Sequence, residues 1–364
     1  MRIGSGFGAA VLAVGLLVGP VAAASNEDAA LTPKARYVAA EGFRKAADGT
    51  AAFDAMAVLA SEGYAPALEK LGYYHSRGVG TAVDTAEAAR FYEAAIASGR
   101  DKARTAYGKL LAREGRHVEA LTQLQLAEAA GVSNAAPVLA ELHYFGKFGD
   151  LSETALGKAG LMNAAADGHV RSMGIVFQEM KKGAAFDVDG SALQATLMAV
   201  AQSEDRNNGR AAEALVKGLR GDAGAEEVRR ALLAHPTLRE EVRVEEALWL
   251  AAETSRGRAL WAALDEVVAT TDETMFARAL YVVSRIDKNA YVHVLQREMA
   301  DRGYAVGRQT GMLNTRTLKA VAQFCADREI TRTCRYGPMR SQVIKVITAE
   351  LAFVPPAEDR AAKP

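Results

Sequence analysis

The side chains that most often carry out catalysis or bind metal ions are few and widely spaced in this chain. The six histidines are separated by tens of residues, and none has a second histidine or a cysteine at metal-ligand spacing. They are His75, His117, His143, His169, His235 and His293. Phosphate loops, nucleophile elbows and dinucleotide fingerprints are missing after Ala24. We therefore expect no catalytic site, metal site or cofactor, and we predict that the chain is not an enzyme.

One acidic stretch, Asp187-Val188-Asp189-Gly190, resembles the start of a calcium-binding loop. A calcium loop needs further oxygen ligands at fixed spacing after these residues, and they are missing. We interpret the stretch as a connection between two helices. His75 and His169 are interpreted in the same way, as structural residues on a helix or in a loop.

The two cysteines, Cys325 and Cys334, lie close together near the end of the chain. In an oxidising compartment they would form a disulfide that stabilises the short loop by about 2–3 kcal/mol. The alternative is two free thiols, one of them buried in a helix. We favour the disulfide.

A polar and aromatic group, Tyr73, Tyr74 and Arg77, is the strongest sequence candidate for a partner-binding surface. Tyrosine and arginine are enriched among the residues that dominate binding energy at protein interfaces. The alternative is that at least one of the tyrosines belongs to the hydrophobic core.

These side chains must be positioned by helices, because the chain repeats a helical pattern. A glycine followed four residues later by a small residue recurs at intervals of 36, 32 and 37 residues, as Gly63/Ala67, Gly99/Ala103, Gly131/Ala135 and Gly168/Ser172. A period near 36 residues is the length of two helices and two turns. Such a hairpin leaves one apolar side uncovered, so neighbouring hairpins must stack on it.

The clearest unit lies between residues 60 and 110. Two apolar stripes with helical spacing are separated by glycines that end the first helix and by Asp84, which can cap the second. The stripes are Ala67, Leu71 and Tyr74, and Ala88, Phe91, Tyr92 and Ala95. Small residues, including Gly72, allow the two helices to approach closely.

These positions resemble the Sel1-like repeats, which are related to the tetratricopeptide repeat. The matching residues are Leu71, Gly72, Gly78, Gly80, Asp84, Ala88, Phe91, Tyr92, Ala95, Gly99 and Ala103. The resemblance implies an all-α fold, an α-solenoid of Sel1/TPR-like helical hairpins, over residues 25–190. Thr32 to Gly63 are expected to form a half-unit that caps its start.

From residue 191 to 287 the helical spacing continues without recognisable repeats, and we predict a helical continuation of the solenoid. The expected helices are Ala192–Ser203, Gly209–Leu219, Ala225–Ala234, Glu240–Glu253, Arg258–Thr270 and Thr274–Ile286. Trp249 and Trp261 fall inside two of them, where packing in the core is the default.

Residues 288–354 resemble the small three-helix peptidoglycan-binding domain. The matching residues are Leu295, Gln296, Gly303, Tyr304, Gly307, Gly311, Leu313, Thr317, Ala320 and Phe324, whereas Thr310, Asn314 and Cys325 depart from the pattern. The predicted core consists of Leu295, Met299, Leu318, Val321, Phe324, Val343 and Ile347. If the module binds glycan, the candidates are Tyr304, Thr310, Arg316 and Thr317. The alternative is a module kept for packing or for a protein partner.

The two ends of the chain are predicted to lie outside the helical fold. Met1-Arg2, an apolar stretch from Phe7 to Gly19 and small residues up to Ala24 predict a signal peptide over residues 1–24. The apolar stretch is shorter than the roughly 20 residues that cross a bilayer. With no cysteine near the cleavage site, the mature chain is expected in the periplasm, not as a lipoprotein. Residues 355–364 are predicted to be disordered.

Composition narrows the choice of partners. Lys plus Arg and Asp plus Glu are equal at 44 each, which gives no reason to expect nucleic acid or an anionic membrane as a partner. The sequence predicts a periplasmic scaffold or adaptor for envelope proteins. The Sel1 resemblance implies a role in exopolysaccharide secretion or envelope signalling. The C-terminal resemblance implies a possible cell-wall tether. The alternative is a peptidoglycan- or exopolysaccharide-binding protein, or an accessory to a cell-wall enzyme.

Overall fold

The structure is a computed structural model, and it describes residues 31–46 and 48–353. Throughout these residues the regular elements are helices, which confirms the all-α fold class. The predicted signal peptide, residues 1–24, and the predicted tail, residues 355–364, lie outside the described part. The chain divides into two compact units, residues 1–160 and 161–364.

The first unit is a series of helical hairpins. Its elements are α1 (Pro33–Lys45), α2 (Gly49–Ser61), α3 (Ala65–Arg77), α4 (Thr85–Ala97), α5 (Lys102–Arg113), α6 (His117–Ala129), α7 (Ala135–Tyr144) and a short 3-10 turn (Gly149–Leu151). Helix α8 (Thr154–Ala166) spans the division between the units. The hairpin predicted between residues 60 and 110 is confirmed as α3 and α4. Thr32 to Gly63, expected to be a half-unit, instead hold the complete hairpin of α1 and α2.

The limits of this hairpin follow from two local interactions. Gly78 ends α3 with a left-handed backbone, φ 71°, which residues with a side chain adopt only at a cost. Asp84 begins α4 because its carboxylate accepts hydrogen bonds from the amides of Ala86 at 3.0 Å and Glu87 at 2.9 Å. Both predictions for these residues are confirmed.

Each hairpin of the first unit packs on the next, with α2 against α3, α4 against α5 and α6 against α7. The apolar stripes lie in the resulting core, where Ala67, Leu71, Tyr74, Ala88, Tyr92 and Ala95 are all buried. Burial of such side chains is the main source of stability in a fold of this kind.

The second unit continues with helices of similar length. Its elements are α9 (Val170–Lys181), α10 (Gly190–Ala201), α11 (Asn208–Gly218), α12 (Glu226–Leu233), α13 (Glu240–Thr254), α14 (Gly257–Ala269), α15 (Glu273–Ile286), α16 (Lys288–Asp301), α17 (Thr315–Asp327), α18 (Thr331–Cys334) and α19 (Ser341–Ala352). The six helices expected between residues 191 and 287 are confirmed as α10 to α15, with ends shifted by a few residues.

Alternate helices lie side by side in this unit, as expected for stacked hairpins. Helix α9 packs against α11, and α13 packs against α15. The acidic stretch between α9 and α10 is a connection, as predicted: the Asp189 carboxylate accepts hydrogen bonds from the amides of Ser191 and Ala192 and so begins α10.

The C-terminal helices share their core with the helices before them. One cluster of buried residues runs from Val244 to Leu351, and α19 packs against α15. The predicted boundary at residues 287 and 288 therefore does not coincide with a break in the core. Leu318, predicted to be in the core, is 42% exposed. The face of α17 that packs on the cluster carries Val321 and Phe324, and Leu318 lies outside that face. The other six predicted core residues of this segment are buried.

None of the helices in the described residues is both long and apolar enough to cross a lipid bilayer.

Candidate functional site

The predicted partner-binding group is split by the packing of α3. Tyr74 is fully buried, and its hydroxyl donates a hydrogen bond to the Glu41 carboxylate at 3.1 Å. Tyr74 is therefore a core residue and its prediction as a partner contact is wrong, because a helical face that packs on α1 and α2 cannot also face a partner. Tyr73 and Arg77 are exposed.

The exposed ring of Tyr73 belongs to a small charged and aromatic group on α1 and α3. The Lys70 ammonium lies 5.7 Å from the centre of the Tyr73 ring and 5.9 Å from that of Tyr37. It also pairs with Glu41 at 3.2 Å. Burial opposes ionisation of Glu41, but Lys70, Arg44 and the Tyr74 hydroxyl together outweigh burial and lower the pKa of that carboxyl. The charges within this group are thus already paired with each other.

An open groove lies elsewhere in the first unit, between α4 and α6 and above α5. Its volume is about 350 Å³, at the lower end of the range of about 300–1,000 Å³ for small-ligand sites. It is lined by Glu93, Ile96, Ala97, Tyr107, Leu111, Glu119, Thr122 and Gln123. We call it the α4–α6 groove.

The groove exists because α5 is held deep between its two neighbours. Gly108 on α5 faces α6, and a Cβ at this position would come within 2.7 Å of Leu124 Cγ. Helices α5 and α6 can therefore pack closely, while the ends of α4 and α6 stay apart above α5. The floor consists of Tyr107 and Leu111, which are almost fully buried.

One end of the groove is negatively charged. The Tyr107 hydroxyl donates a hydrogen bond to the Glu93 carboxylate. Burial, followed by this hydrogen bond, raises the pKa of Tyr107 to about 12, so the phenol stays neutral and keeps its proton for Glu93. Glu119 forms an ion pair with Arg116, one turn away on the same helix. The hydrogen bond that Arg116 donates in this pair lowers the pKa of Glu119. Glu119 is therefore ionised at neutral pH.

The other end of the groove is lined by Gln123, whose side chain is polar and uncharged. The Arg104 guanidinium donates a hydrogen bond to Gln123 Oε1 at 2.9 Å and pairs with Asp101 at 2.9 Å. This contact uses the Gln123 amide oxygen, so the amide nitrogen is the remaining hydrogen-bond donor of that side chain. The groove as a whole therefore offers an apolar floor, a carboxylate end and an amide end, a set suited to binding a side chain.

Sequence reasoning missed this groove, although a signal for it exists. Residues 93, 96 and 97 on α4 have the same spacing as residues 119, 122 and 123 on α6. Each set lies beside the core stripe of its helix, at Ala95 and Ala120. Two matching side stripes on alternate helices indicate a shared furrow once hairpin stacking is known.

The glycan candidates are also separated by the structure. Thr317 is fully buried, so its prediction as a glycan contact is wrong. Tyr304 is half-buried. Its ring lies nearly perpendicular to that of Phe324, with ring centres 5.6 Å apart, and its hydroxyl donates a hydrogen bond to Asp327 at 3.0 Å. Thr310 and Arg316 are exposed.

Thr317 has a structural task instead, in a network centred on Gln296. The Gln296 amide nitrogen donates to Thr317 Oγ1 at 2.8 Å and to the Met312 carbonyl at 3.0 Å. Its oxygen accepts from the amide of Gly311 at 3.0 Å. This side chain is fully buried, and all its hydrogen-bonding atoms are used to hold the loop between α16 and α17.

A strongly basic surface surrounds that loop and the cysteines. Residues 302–345 contain nine Lys or Arg residues but only two acidic residues, Asp327 and Glu329. Seven of the basic side chains, including Lys345, are exposed and have no carboxylate partner among the described residues. They are Arg308, Arg316, Lys319, Arg332, Arg335, Arg340 and Lys345. Cys325 and Cys334 form a disulfide, with Cα atoms 6.4 Å apart, which confirms that prediction.

The histidines do not come together. His75 is stacked on Phe91 with ring centres 5.4 Å apart and lies edge-on to Phe53 at 5.3 Å. His143 accepts a hydrogen bond from the amide of Glu153 at 3.1 Å. Within residues 31–46 and 48–353, no group of three or more His, Cys, Asp or Glu side chains is arranged to hold a metal ion.

Comparison with known proteins adds one likeness of fold. No protein-family model matches the chain, and no curated protein matches it. Among solved structures it is similar to a protective antigen present in uropathogenic Escherichia coli strains, described as displaying an SLR fold. The sequences are 13% identical, the TM-score is 0.35, and the match covers 91% of this chain and 78% of the antigen. The likeness is low, and the fold described above rests on the helices of this chain.

Proposed function

We propose that the chain is a scaffold or adaptor that binds a protein partner in the bacterial cell envelope. The observation that carries this proposal is the α4–α6 groove, an open furrow between stacked hairpins that combines an apolar floor with polar ends. Stacked helical hairpins offer extended surfaces of this kind for binding peptides and folded proteins.

The composition of the groove favours binding over catalysis. Its lining contains no histidine, cysteine or lysine, and its two glutamates are already engaged, Glu93 by the Tyr107 hydroxyl and Glu119 by Arg116. Tyr107 is held in its neutral form and donates to a carboxylate. Such groups recognise a ligand through hydrogen bonds and charge, without a step in which a bond is broken.

The compartment we propose is the periplasm. The sequence pattern of residues 1–24 and the disulfide between Cys325 and Cys334 both favour an oxidising compartment outside the cytoplasm. N-terminal sequencing of the protein from the producing cells tests this. We expect a mature chain that begins at Ser25, and an intact Met1 would contradict export by a cleaved signal.

The pathway we propose follows only from the Sel1-like resemblance of residues 60 to 110. Proteins with such repeats often serve exopolysaccharide secretion or regulate envelope sensor kinases. A partner recovered from either machinery would distinguish the two.

The partner proposal is tested by affinity purification from cross-linked periplasm. Ala97 is exposed and lines the groove, so Ala97→Arg fills the groove without disturbing the core. Ala94 is exposed on the same helix outside the lining, and Ala94→Arg is the matched control. We expect the same partner with the wild type and Ala94→Arg, and loss of it with Ala97→Arg. Equal recovery with all three proteins, or no specific protein with any, would contradict the proposal.

A second candidate function is binding of an anionic cell-wall or secreted glycan, and the basic surface of residues 302–345 favours it. Exposed guanidinium groups bind carboxylate and phosphate well. Deleting the C-terminal helices is not a suitable test, because they share a core with α13 to α15. The double variant Arg332→Gln/Arg335→Gln changes only exposed residues.

Co-sedimentation with purified peptidoglycan sacculi measures this second function. We expect the wild type to bind, with binding weakened by salt, and the double variant to bind less. Lys34→Gln/Arg90→Gln removes the same charge from exposed positions in the first unit and should bind as the wild type does. Equal binding by all three proteins would exclude the basic surface as the glycan site.

A further inference from the structure

We propose that the α4–α6 groove binds a lysine or arginine side chain of the partner, with the cationic head at Glu93. This proposal rests on the proposed function, and it adds the chemistry of the partner. Charge, shape and the cost of other occupants each support it.

The charge of the groove is incompletely balanced. Among the described residues Glu119 has a cationic partner, Arg116, whereas Glu93 has none. Glu93 is exposed, and it accepts one hydrogen bond from the neutral Tyr107 hydroxyl. A carboxylate has room for several donors. Its remaining acceptor sites therefore favour an ammonium or a guanidinium group.

The apolar floor fits the stem of such a side chain. Ile96 is partly buried against the cluster of the first unit and presents its remaining surface to the groove, beside the nearly fully buried Leu111. Lysine and arginine carry three or four methylene groups below the charged head, and they bury that stem on apolar surface while the head stays in contact with water or a counter-ion. The groove offers both surfaces in the required order.

Other side chains would fit less well. An acidic side chain would be repelled by Glu93 at the end where its charge would lie. A purely apolar side chain would remove water from the Glu93 carboxylate and return no hydrogen bond, which is unfavourable. A basic side chain gains apolar contact at the floor and an opposite charge at Glu93 together.

Blocked alanine pentapeptides with a central lysine, arginine, norleucine or glutamate are the probes. Binding to the full mature chain is followed by NMR of carbon-13 methyl groups, with the Ile96 signal assigned through Ile96→Val. We expect the lysine and arginine peptides to shift this signal with dissociation constants about fivefold lower than that of the norleucine peptide, the size expected for a partly exposed ion pair.

Two variants with the same change of charge complete the design. Glu93→Gln keeps an acceptor for Tyr107 but should abolish the preference for lysine over norleucine. Glu128→Gln, on the exposed side of α6 outside the lining, should keep it. An equal or greater shift with norleucine, tighter binding of the glutamate peptide, or the absence of any shift at Ile96 would overturn the proposal.

The outcome is separable from that of the proposed function. If Ala97→Arg abolishes partner capture while the lysine peptide shows no preference, the groove is a partner site and only the lysine or arginine assignment fails. If the lysine peptide binds as expected while partner capture is unaffected by Ala97→Arg, the groove recognises basic side chains and the scaffold proposal for this surface fails.

Discussion

Gly72 on α3 lies directly against the ring of Tyr92 on α4. A Cβ at position 72 would come within 2.7 Å of Tyr92 Cδ1, and the ring is buried. The two helices of this hairpin therefore approach as closely as they do because residue 72 has no side chain. The same relation recurs one hairpin later between Gly108 and Leu124.

Gly72→Ala is expected to destabilise the protein by about 1–3 kcal/mol, as overpacking of a core does. The matched control is Gly42→Ala on α1, where a Cβ would meet nothing within 4 Å. Alanine favours a helix, so the control should be neutral or more stable by up to about 1 kcal/mol. Urea denaturation followed by circular dichroism measures both. A stabilising Gly72→Ala would show that the hairpin is looser than described.

The disulfide is expected to contribute about 2–3 kcal/mol to stability, since it closes a short loop. Reduction should lower the melting temperature of the wild type, and it should have no effect on Cys325→Ala/Cys334→Ala. A thiol assay on the unreduced, denatured protein should find no free thiol. Two reactive thiols per chain would contradict the pairing.

His75 should make the first unit sensitive to mild acid. Burial lowers the pKa of His75 below its ordinary value, and nearby Glu87 and Asp84 only partly oppose this. The unfolded chain therefore binds the proton more readily than the folded chain. Stability should be greatest above pH 6.5 and decrease as the pH is lowered through the unfolded pKa.

His75→Phe keeps an aromatic ring between Phe53 and Phe91 and removes the titrating group. We expect its stability to decrease less than that of the wild type between pH 7 and pH 5, as measured by urea denaturation at both values. Parallel loss of stability in the two proteins would show that His75 is protonated as readily when folded.

Gln296 is expected to support the loop before α17 and not to bind glycan. Gln296→Leu leaves Gly311, Met312 and Thr317 without their buried partner, which should cost about 1–3 kcal/mol. Arg316→Ala, on the exposed side of the same region, should leave the melting temperature unchanged. Calorimetry of both variants decides. A destabilised Arg316→Ala beside a stable Gln296→Leu would reverse these roles.

The sequence predicted the helices well because their spacing, caps and turns are local. Asp84 and Gly78 act within one hairpin, and the stripe of Leu71 and Tyr74 needs only a neighbour to cover it. Tyr74 could not be assigned by type, since a tyrosine serves equally in a core and at an interface. Its burial depends on how α1 and α2 pack against α3.

The other features that the sequence did not predict correctly depend on how the helices pack in the tertiary structure. Leu318 and Val321 both fit a helical stripe, and only the direction from which neighbouring helices such as α16 pack on α17 decides that Val321 is inside. The groove likewise depends on three helices at once. Glu93 and Thr122 are far apart in sequence, and they become neighbours in one furrow only through stacking.

Site-specific photo-cross-linking tests the central claim most directly, with a photoreactive amino acid placed in the full chain in the producing cells. At Thr122, an exposed residue on the wall of the groove, we predict a discrete cross-linked product with one partner protein. At Glu128, on the same helix outside the groove, we predict none. Equal products at both positions, or none at Thr122 in a properly exported protein, would contradict the account.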